Sequence, residues 1–225
     1  MTVQIEAGAR NYEALIGRGL LAQLGARLTS LVRGPRGVVV ADENSARLFA
    51  AQTLASLHAA GYAPTLITVP AGEGAKSFAQ LERVCAEMAA AGLDRTSFVA
   101  ALGGGVIGDL AGFAAAIYHR GIALVQVPTT LLAQVDSAIG GKTAINLAAG
   151  KNLLGAIHQP VLVLADVATL DTLPPREFRQ GFAEMVKHAI IADPGMFELL
   201  ENFQPANLPE LIRRNLALKA AIVAR

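Results

Sequence analysis

Apolar residues along this chain fall into short unbroken blocks separated by longer stretches with helical spacing. The blocks at 37–41 (GVVVA), 64–69, 97–102 (SFVAAL) and 122–127 are apolar almost throughout and of strand length. Between them, 45–60 and 78–91 read as helices closed by Gly61 and Gly92, with Ser77 placed to cap the second. Residues 106–118 are apolar and alanine-rich enough for a buried helix. Continuously apolar strands alternating with helices predict a parallel sheet covered on both faces, a doubly wound α/β fold. Upstream, 3–7 and 12–16 predict two short strands opening a hairpin across 8–11, and 20–31 a helix. Downstream, 174–193 starts with prolines suited to a helix start and stops at Asp193-Pro194, and 208–225 is again helix-like. The expected organisation is a sheet domain over 1–160 followed by a helical segment over 161–225.

Ligands of such sheets sit at the carboxyl ends of the strands. Four segments fall there: 42–44, 72–76, 103–109 and 129–130. The most telling is LGGGVIGDLAG at 102–112, three consecutive glycines between a strand and a helix. Gly103, Gly104 and Gly105 can take positive φ and let a ligand approach the bare backbone, or they make a tight turn with glycines for packing. The helix that follows offers unpaired N–H groups and a positive dipole end, which suit phosphate or pyrophosphate. Asp42 and Glu73 can accept from ribose hydroxyls, and Thr129 and Thr130 can bond a sugar or a ring amide. Each also has a plainer reading: Asp42 and Asn44 as helix caps, Glu73 as a solvated loop carboxylate.

The stretch QVDSAIGGKTAINLAAGKN, from residue 134, places Asp136, Lys142, Lys151 and Asn152 in a glycine-rich run that reads as irregular. Lysines close to an aspartate suit a substrate with phosphate and carboxylate groups, or they are ordinary surface lysines. On the helix at 174–193, Glu184, Lys187 and His188 stand at i, i+3 and i+4 and share a face. A carboxylate and an imidazole one turn apart can ligate a divalent metal, although an exposed polar patch is commoner.

Composition narrows the classes. Of 225 residues, 53% are hydrophobic, and the formal net charge of +1 gives no footprint for nucleic acid or an anionic membrane. Cys85 is the single cysteine, so no internal disulfide forms; it reads as buried filler, and a reducing compartment follows. The N-terminus lacks a signal-peptide pattern and no stretch suits a membrane span, so a soluble cytoplasmic protein is expected.

Taken together, GGGVIGDLAGF, HRG, VQVPTTLLAQVDSAIGGKTAIN, GKNLLGAIHQP, DTLPPREF and GFAEMVKHAIIAD, in this order and spacing, resemble the 3-dehydroquinate synthase family of sugar-phosphate cyclases. The resemblance runs from about 37 to 195 and is nearly continuous from 99 to 193. The glycine loop is shared with iron-type alcohol and glycerol dehydrogenases; the series from VPTTLLAQVDS to GFAE is specific to the cyclases.

The resemblance implies a Rossmann-like NAD domain over 1–160 and the start of an all-helical metal and substrate domain over 161–225. It implies NAD contacts at Asp42, Glu73, Lys76, Gly105, Val106, Ile107, Gly108, Asp109, Thr129 and Thr130. Further cofactor contacts fall on Lys142, Lys151, Thr169, Leu170, Asp171 and Thr172. Asp136, Lys142, Asn152 and Lys187 match substrate positions, and Arg120 matches an arginine reaching the neighbouring site of a homodimer. Glu184 matches one of three protein ligands to a divalent metal, zinc or cobalt; His188 does not match a ligand and reads as a packing residue behind it. The implied reaction converts 3-deoxy-D-arabino-heptulosonate 7-phosphate to 3-dehydroquinate and phosphate, a step toward aromatic amino acids.

The family continues past the point matching Arg225 and draws two histidine metal ligands from there. None of His58, His119, His158 and His188 stands in their place. The chain is therefore expected to be truncated relative to the family, either a fragment or a short form completed by a partner. The alternatives are an NAD-binding module without activity of its own, another cyclase such as 2-deoxy-scyllo-inosose synthase, or a polyol dehydrogenase.

Overall fold

A computed structural model describes residues 1–8 and 11–224. Seven strands form one sheet in the order β1-β2-β9-β6-β5-β3-β4. They are β1 (Thr2–Ile5), β2 (Tyr12–Gly17), β3 (Arg36–Asp42), β4 (Ala63–Val69), β5 (Phe98–Gly103), β6 (Ala123–Pro128) and β9 (Leu162–Asp166). All neighbours are parallel except β1, which runs antiparallel to β2 at the edge. The turn expected between β1 and β2 lies partly outside the described residues.

The continuous apolar blocks have a plain cause. Along β3, Val38 and Val40 enter one core while Val39 and Ala41 enter another, so alternate side chains bury on opposite faces. One face is covered by α4 (Phe78–Ala90) and α5 (Gly105–Ile117); the other by α1 (Leu24–Leu28) and α3 (Ala51–Ala59). The expected helix over 45–60 begins as a one-turn α2 (Glu43–Ser45) and a π-type stretch (Ala46–Ala50) before α3. Ser77 Oγ accepts from the Gln80 N–H and caps α4.

Two expectations need correction. The boundary at 160 would sever β9, which pairs with β2 and β6 in the middle of the sheet. Pro160 closes a connection into that strand and does not end a domain; Leu162 and Leu164 bury on one face, Val163 and Ala165 on the other. The helices α6 (Pro175–Ala192), α7 (Pro194–Glu201) and α8 (Leu208–Val223) share a core with β1, β2 and β9. Second, the irregular run after Gln134 is an antiparallel hairpin, β7 (Lys142–Leu147) with β8 (Gly150–Ile157), preceded by a π-type turn (Ala133–Ser137).

Among the described residues, no helix is long and apolar enough to cross a membrane.

Candidate active site

The carboxyl ends of β3, β4, β5 and β6 open onto a cleft of about 720 Å³. At its floor lies the glycine turn. None of Gly103, Gly104 and Gly105 has positive φ, which leaves the packing alternative. Close packing is what demands them: a Cβ on Gly103 would stand 2.7 Å from Ile107 Cγ1, and one on Gly105 would stand 3.0 Å from Ser137 Oγ. No side chain caps α5 at Gly104, so its first turn points N–H groups into a bare cradle that suits a pyrophosphate.

Asp42 is a helix cap that also faces the cleft. Its carboxylate takes the N–H groups of Asn44 and Ser45 and the Ser45 hydroxyl, and its residue also lines the cleft. Ser45 Oγ lies 3.4 Å from Thr129 Oγ1, joining the ends of β3 and β6. Glu73, Val106, Ile107, Thr130, Lys151, Thr169 and Thr172 line the same cleft, and Asp109 lines it beside the buried Lys76. Burial raises the Asp109 carboxyl above its ordinary range, against the opposing pull of Lys76. Gly108 faces the sheet instead, where a Cβ would meet Gln126 Oε1 at 2.9 Å.

The hairpin is clasped over this cleft by polar contacts. Asn146 Nδ2 donates to Glu73 Oε1 at 2.8 Å, its backbone N–H donates to the Lys76 carbonyl at 2.9 Å, and Asn152 accepts from Lys76. Lys151 Nζ lies 3.8 Å from Glu73. Beneath the hairpin a second cavity of about 580 Å³ shares Asp109, Asp136, Ser137 and Asn152 with the first, and adds Lys142 and Lys219.

Lys219 escaped the sequence reading. Its Nζ is 2.7 Å from Asp136 Oδ1 although the two stand far apart in sequence. The signal was there: Lys219 occupies the buried stripe of α8 defined by Leu208, Leu211, Ile212, Leu216 and Ala220, where a charge needs a partner.

Glu184 lines neither cavity, but its carboxylate approaches that of Asp136, which lines both. Asp136, Glu184 and His188 each offer a ligand atom, all within 4.8 Å of one another, a donor set that suits a divalent cation. Lys187 is half-exposed and pairs with Glu184. Lys187 lines neither cavity, and Leu170, Asp171 and Arg120 lie apart as well. The Leu170 side chain is packed in the core, and Asp171 pairs with Arg18. Arg120 lies at the far end of α5, in a left-handed turn with His119 (φ 67° and 49°). Cys85 is half-buried in α4, away from the cleft, and burial raises its thiol.

The chain matches the 3-dehydroquinate synthase N-terminal family over residues 66–180. It is 50% identical over 235 residues to a 3-dehydroquinate synthase of Rhodopseudomonas palustris (strain BisB18), covering 100% of this chain and 60% of that protein. Among solved structures it is similar to a 2-deoxy-scyllo-inosose synthase complexed with carbaglucose-6-phosphate, NAD+ and Co2+. The TM-score is 0.92 at 27% identity, over 100% of this chain and 64% of that one. A 2-epi-5-epi-valiolone synthase from Streptomyces hygroscopicus with NAD+ and Zn2+ bound gives a TM-score of 0.85 at 32% identity, over 95% and 61%. The chain thus spans about three fifths of the length of the proteins it matches.

Proposed function

The chain belongs to the 3-dehydroquinate synthase family, and on that premise we propose that it carries the NAD site and much of the substrate site of that enzyme. The proposed reaction converts 3-deoxy-D-arabino-heptulosonate 7-phosphate to 3-dehydroquinate and phosphate, a redox-neutral sequence of oxidation, phosphate elimination, reduction and aldol closure. One observation carries this reading: the cleft with the glycine cradle of α5 and the cavity under the hairpin, lined by Lys142 and Lys219, meet at Asp109, Asp136 and Asn152. A dinucleotide in the first and a sugar phosphate in the second would touch end to end.

Bound NAD would supply a reversible hydride acceptor, and a zinc or cobalt ion a Lewis acid at the hydroxyl being oxidised. The chain's own residues do the rest. The first turn of α5 takes the pyrophosphate, Asp42 and Glu73 the ribose hydroxyls, and Thr129 and Thr130 the sugar or ring amide. Thr169 and Thr172 close the opposite wall. Leu170 and Asp171 are left with their backbone as the part available to the cofactor, since their side chains point elsewhere. Lys142 and Lys219 stabilise negative charge as it develops on the sugar oxygen and the departing phosphate. Asn152 and Asp136 hold substrate hydroxyls in place, Lys187 offers a further cation, and Glu184 holds the metal. Arg120 lies too far from its own cleft to serve it, which favours a homodimer in which it serves the neighbouring site.

The test is phosphate release from the heptulosonate phosphate by this chain with NAD and zinc or cobalt, beside NAD binding measured by calorimetry. Turnover supports the full reading. NAD binding without turnover reduces the chain to a cofactor module, and failure to bind NAD overturns the proposal. The fit to 2-deoxy-scyllo-inosose synthase favours a second reading, another sugar-phosphate cyclase. Release of phosphate from a hexose 6-phosphate and not from the heptulosonate would select it.

A further inference from the structure

Strands β6 and β9 are neighbours in the sheet, yet their ladder is short. It pairs Val125 with Leu162 and Gln126 with Val163, and goes no further among the described residues. On either side the ladders run on to the carboxyl ends. β5 pairs with β6 as far as Gly103 and Pro128, and β2 with β9 as far as Gly17 and Asp166. The sheet therefore loses its backbone pairing where the ends of β6 and β9 meet the cleft. Thr129 and Thr130 follow one of these strands, Thr169 and Thr172 the other, and all four line the cleft.

Gln134 spans that gap. Its backbone belongs to the β6 side, since its N–H donates to the Thr130 carbonyl at 2.9 Å. Its side chain is fully buried, and Nε2 donates to the Pro128 carbonyl at 3.1 Å and to the Asp166 carbonyl at 3.0 Å. Two carbonyls can only accept, so the amide nitrogen and not the oxygen must face them. One NH2 group thus bridges the two strands where the ladder has stopped. The same nitrogen lies 3.1 Å from Thr169 Oγ1, whose own proton goes to the Asp166 carbonyl at 2.8 Å. The Thr169 hydroxyl is therefore fixed by the same bridge.

Volume alone does not account for a glutamine here. Gln134 Oε1 accepts from no described residue, and a buried amide oxygen without a donor is unfavourable. Methionine fills nearly the same space without that penalty, but it offers nothing to the two carbonyls.

We propose that Gln134 is a positioning residue for the cofactor. Its amide nitrogen sets the distance between the wall of Thr129 and Thr130 and the wall of Thr169 and Thr172, and so the width of the slot a dinucleotide enters. This rests on the reading of the cleft as the NAD site. Gln134 lines neither cavity, so it acts through the strand ends and not by contact.

NAD binding to the chain, measured by calorimetry, tests this with Gln134→Met and with Ser56→Ala as a control. Ser56 Oγ accepts from the Gly25 N–H at 3.0 Å and donates to the Ala22 carbonyl at 2.9 Å, and Ser56 lines neither cavity. Its loss weakens the fold without touching the slot, and thermal melts show that both variants are folded. Gln134→Met weakens NAD binding about 10-fold or more, whereas Ser56→Ala leaves it within about twofold. Carbon-13 NMR shows the Thr130 and Thr169 methyl groups displaced in Gln134→Met before NAD is added, and unmoved in Ser56→Ala. Nitrogen-15 NMR of the unmodified chain needs no variant: the Gln134 side-chain NH2 is protected from exchange. Unchanged NAD affinity in Gln134→Met, an equal loss in Ser56→Ala, or threonine methyls that stay in place each overturn the proposal. A rapidly exchanging Gln134 NH2 overturns the bridge itself while the NAD reading stands on its own assay. If the unmodified chain binds no NAD, that reading fails and the inference with it.

Discussion

Lys76 Nζ lies 2.6 Å from Asp109 Oδ2, an ion pair that locks the turn after β4 to the first turns of α5. The lysine side chain is only 4% exposed, and it also reaches the Asn152 amide oxygen on β8. One ammonium therefore ties three segments beneath the two cavities. Lys76→Met is expected to destabilise the fold by an amount at the low end of about 3–5 kcal/mol, because Asp109 keeps some solvent contact. Urea unfolding measures it, and a loss below about 1 kcal/mol would show that the pair is not holding these segments together.

Gly181 lets α6 approach the turn that carries Asp136. A Cβ there would stand 2.5 Å from the Leu132 backbone nitrogen and 2.6 Å from Leu131 Cβ. Gly181→Ala is expected to cost about 1–3 kcal/mol by forcing the helix outward. Adding Leu131→Ala should not restore the stability, since the nearest atom is backbone. Thermal melts of the single and double variants decide the matter, and full rescue would place the clash on the side chain alone.

Asn152 holds φ at 57°, a left-handed conformation that a Cβ disfavours and that Asn tolerates better than most residues. Asn152→Gly and Asn152→Ala both remove the amide that meets Lys76, but only the alanine keeps the backbone cost. Alanine should therefore be less stable than glycine by about 1 kcal/mol. Equal stabilities in denaturant would remove strain from the account of this turn.

Glu210 sits in the first turn of α8 and accepts two bonds from Arg213 and one from Arg214. The Arg213 guanidinium, with Arg214, draws its carboxyl from the ordinary 4.5 down to about 2. A depressed carboxylate adds stability that is complete above 4.5 and is lost as pH falls toward about 2. Glu210→Gln should thus be less stable than the unmodified chain at neutral pH, by no more than about 1 kcal/mol per exposed pair, with the difference closing across that window. Carbon-13 NMR of the Glu210 carboxyl gives the titration midpoint, and a value near 4.5 would break the prediction.

The parts of the fold that were legible are those set by local pattern. β3 and β5 are apolar on both faces, so their burial between two helical layers could be read from residues 37–41 and 97–102 alone. The hairpin of β7 and β8 was not legible. Most of β8 faces solvent, and Gly140, Gly141 and Gly150 look like loop punctuation when the partner strand is not in view. The glycine turn was rightly placed, and of the two reasons open for its glycines the structure supports close packing and not positive φ. Lys219 and Asn215 depend on how α8 folds back across the sheet, a long-range relation that no local spacing encodes. Only the polar breaks in the buried stripe of α8 hinted that something there needed a partner.

The strand order also governs how the molecule can be made. β3, β4, β5 and β6 pair among themselves as they emerge in sequence, whereas β2 finds its parallel neighbour only in β9, Glu13 against Leu162. During synthesis β2 is made well before β9 and stays unpaired on that side until residue 166 has followed. Closing so long a loop costs entropy before its contacts repay it, so this pairing is among the non-local contacts that slow a fold. Until then the nascent chain exposes an apolar strand edge, the species most prone to pair with another copy.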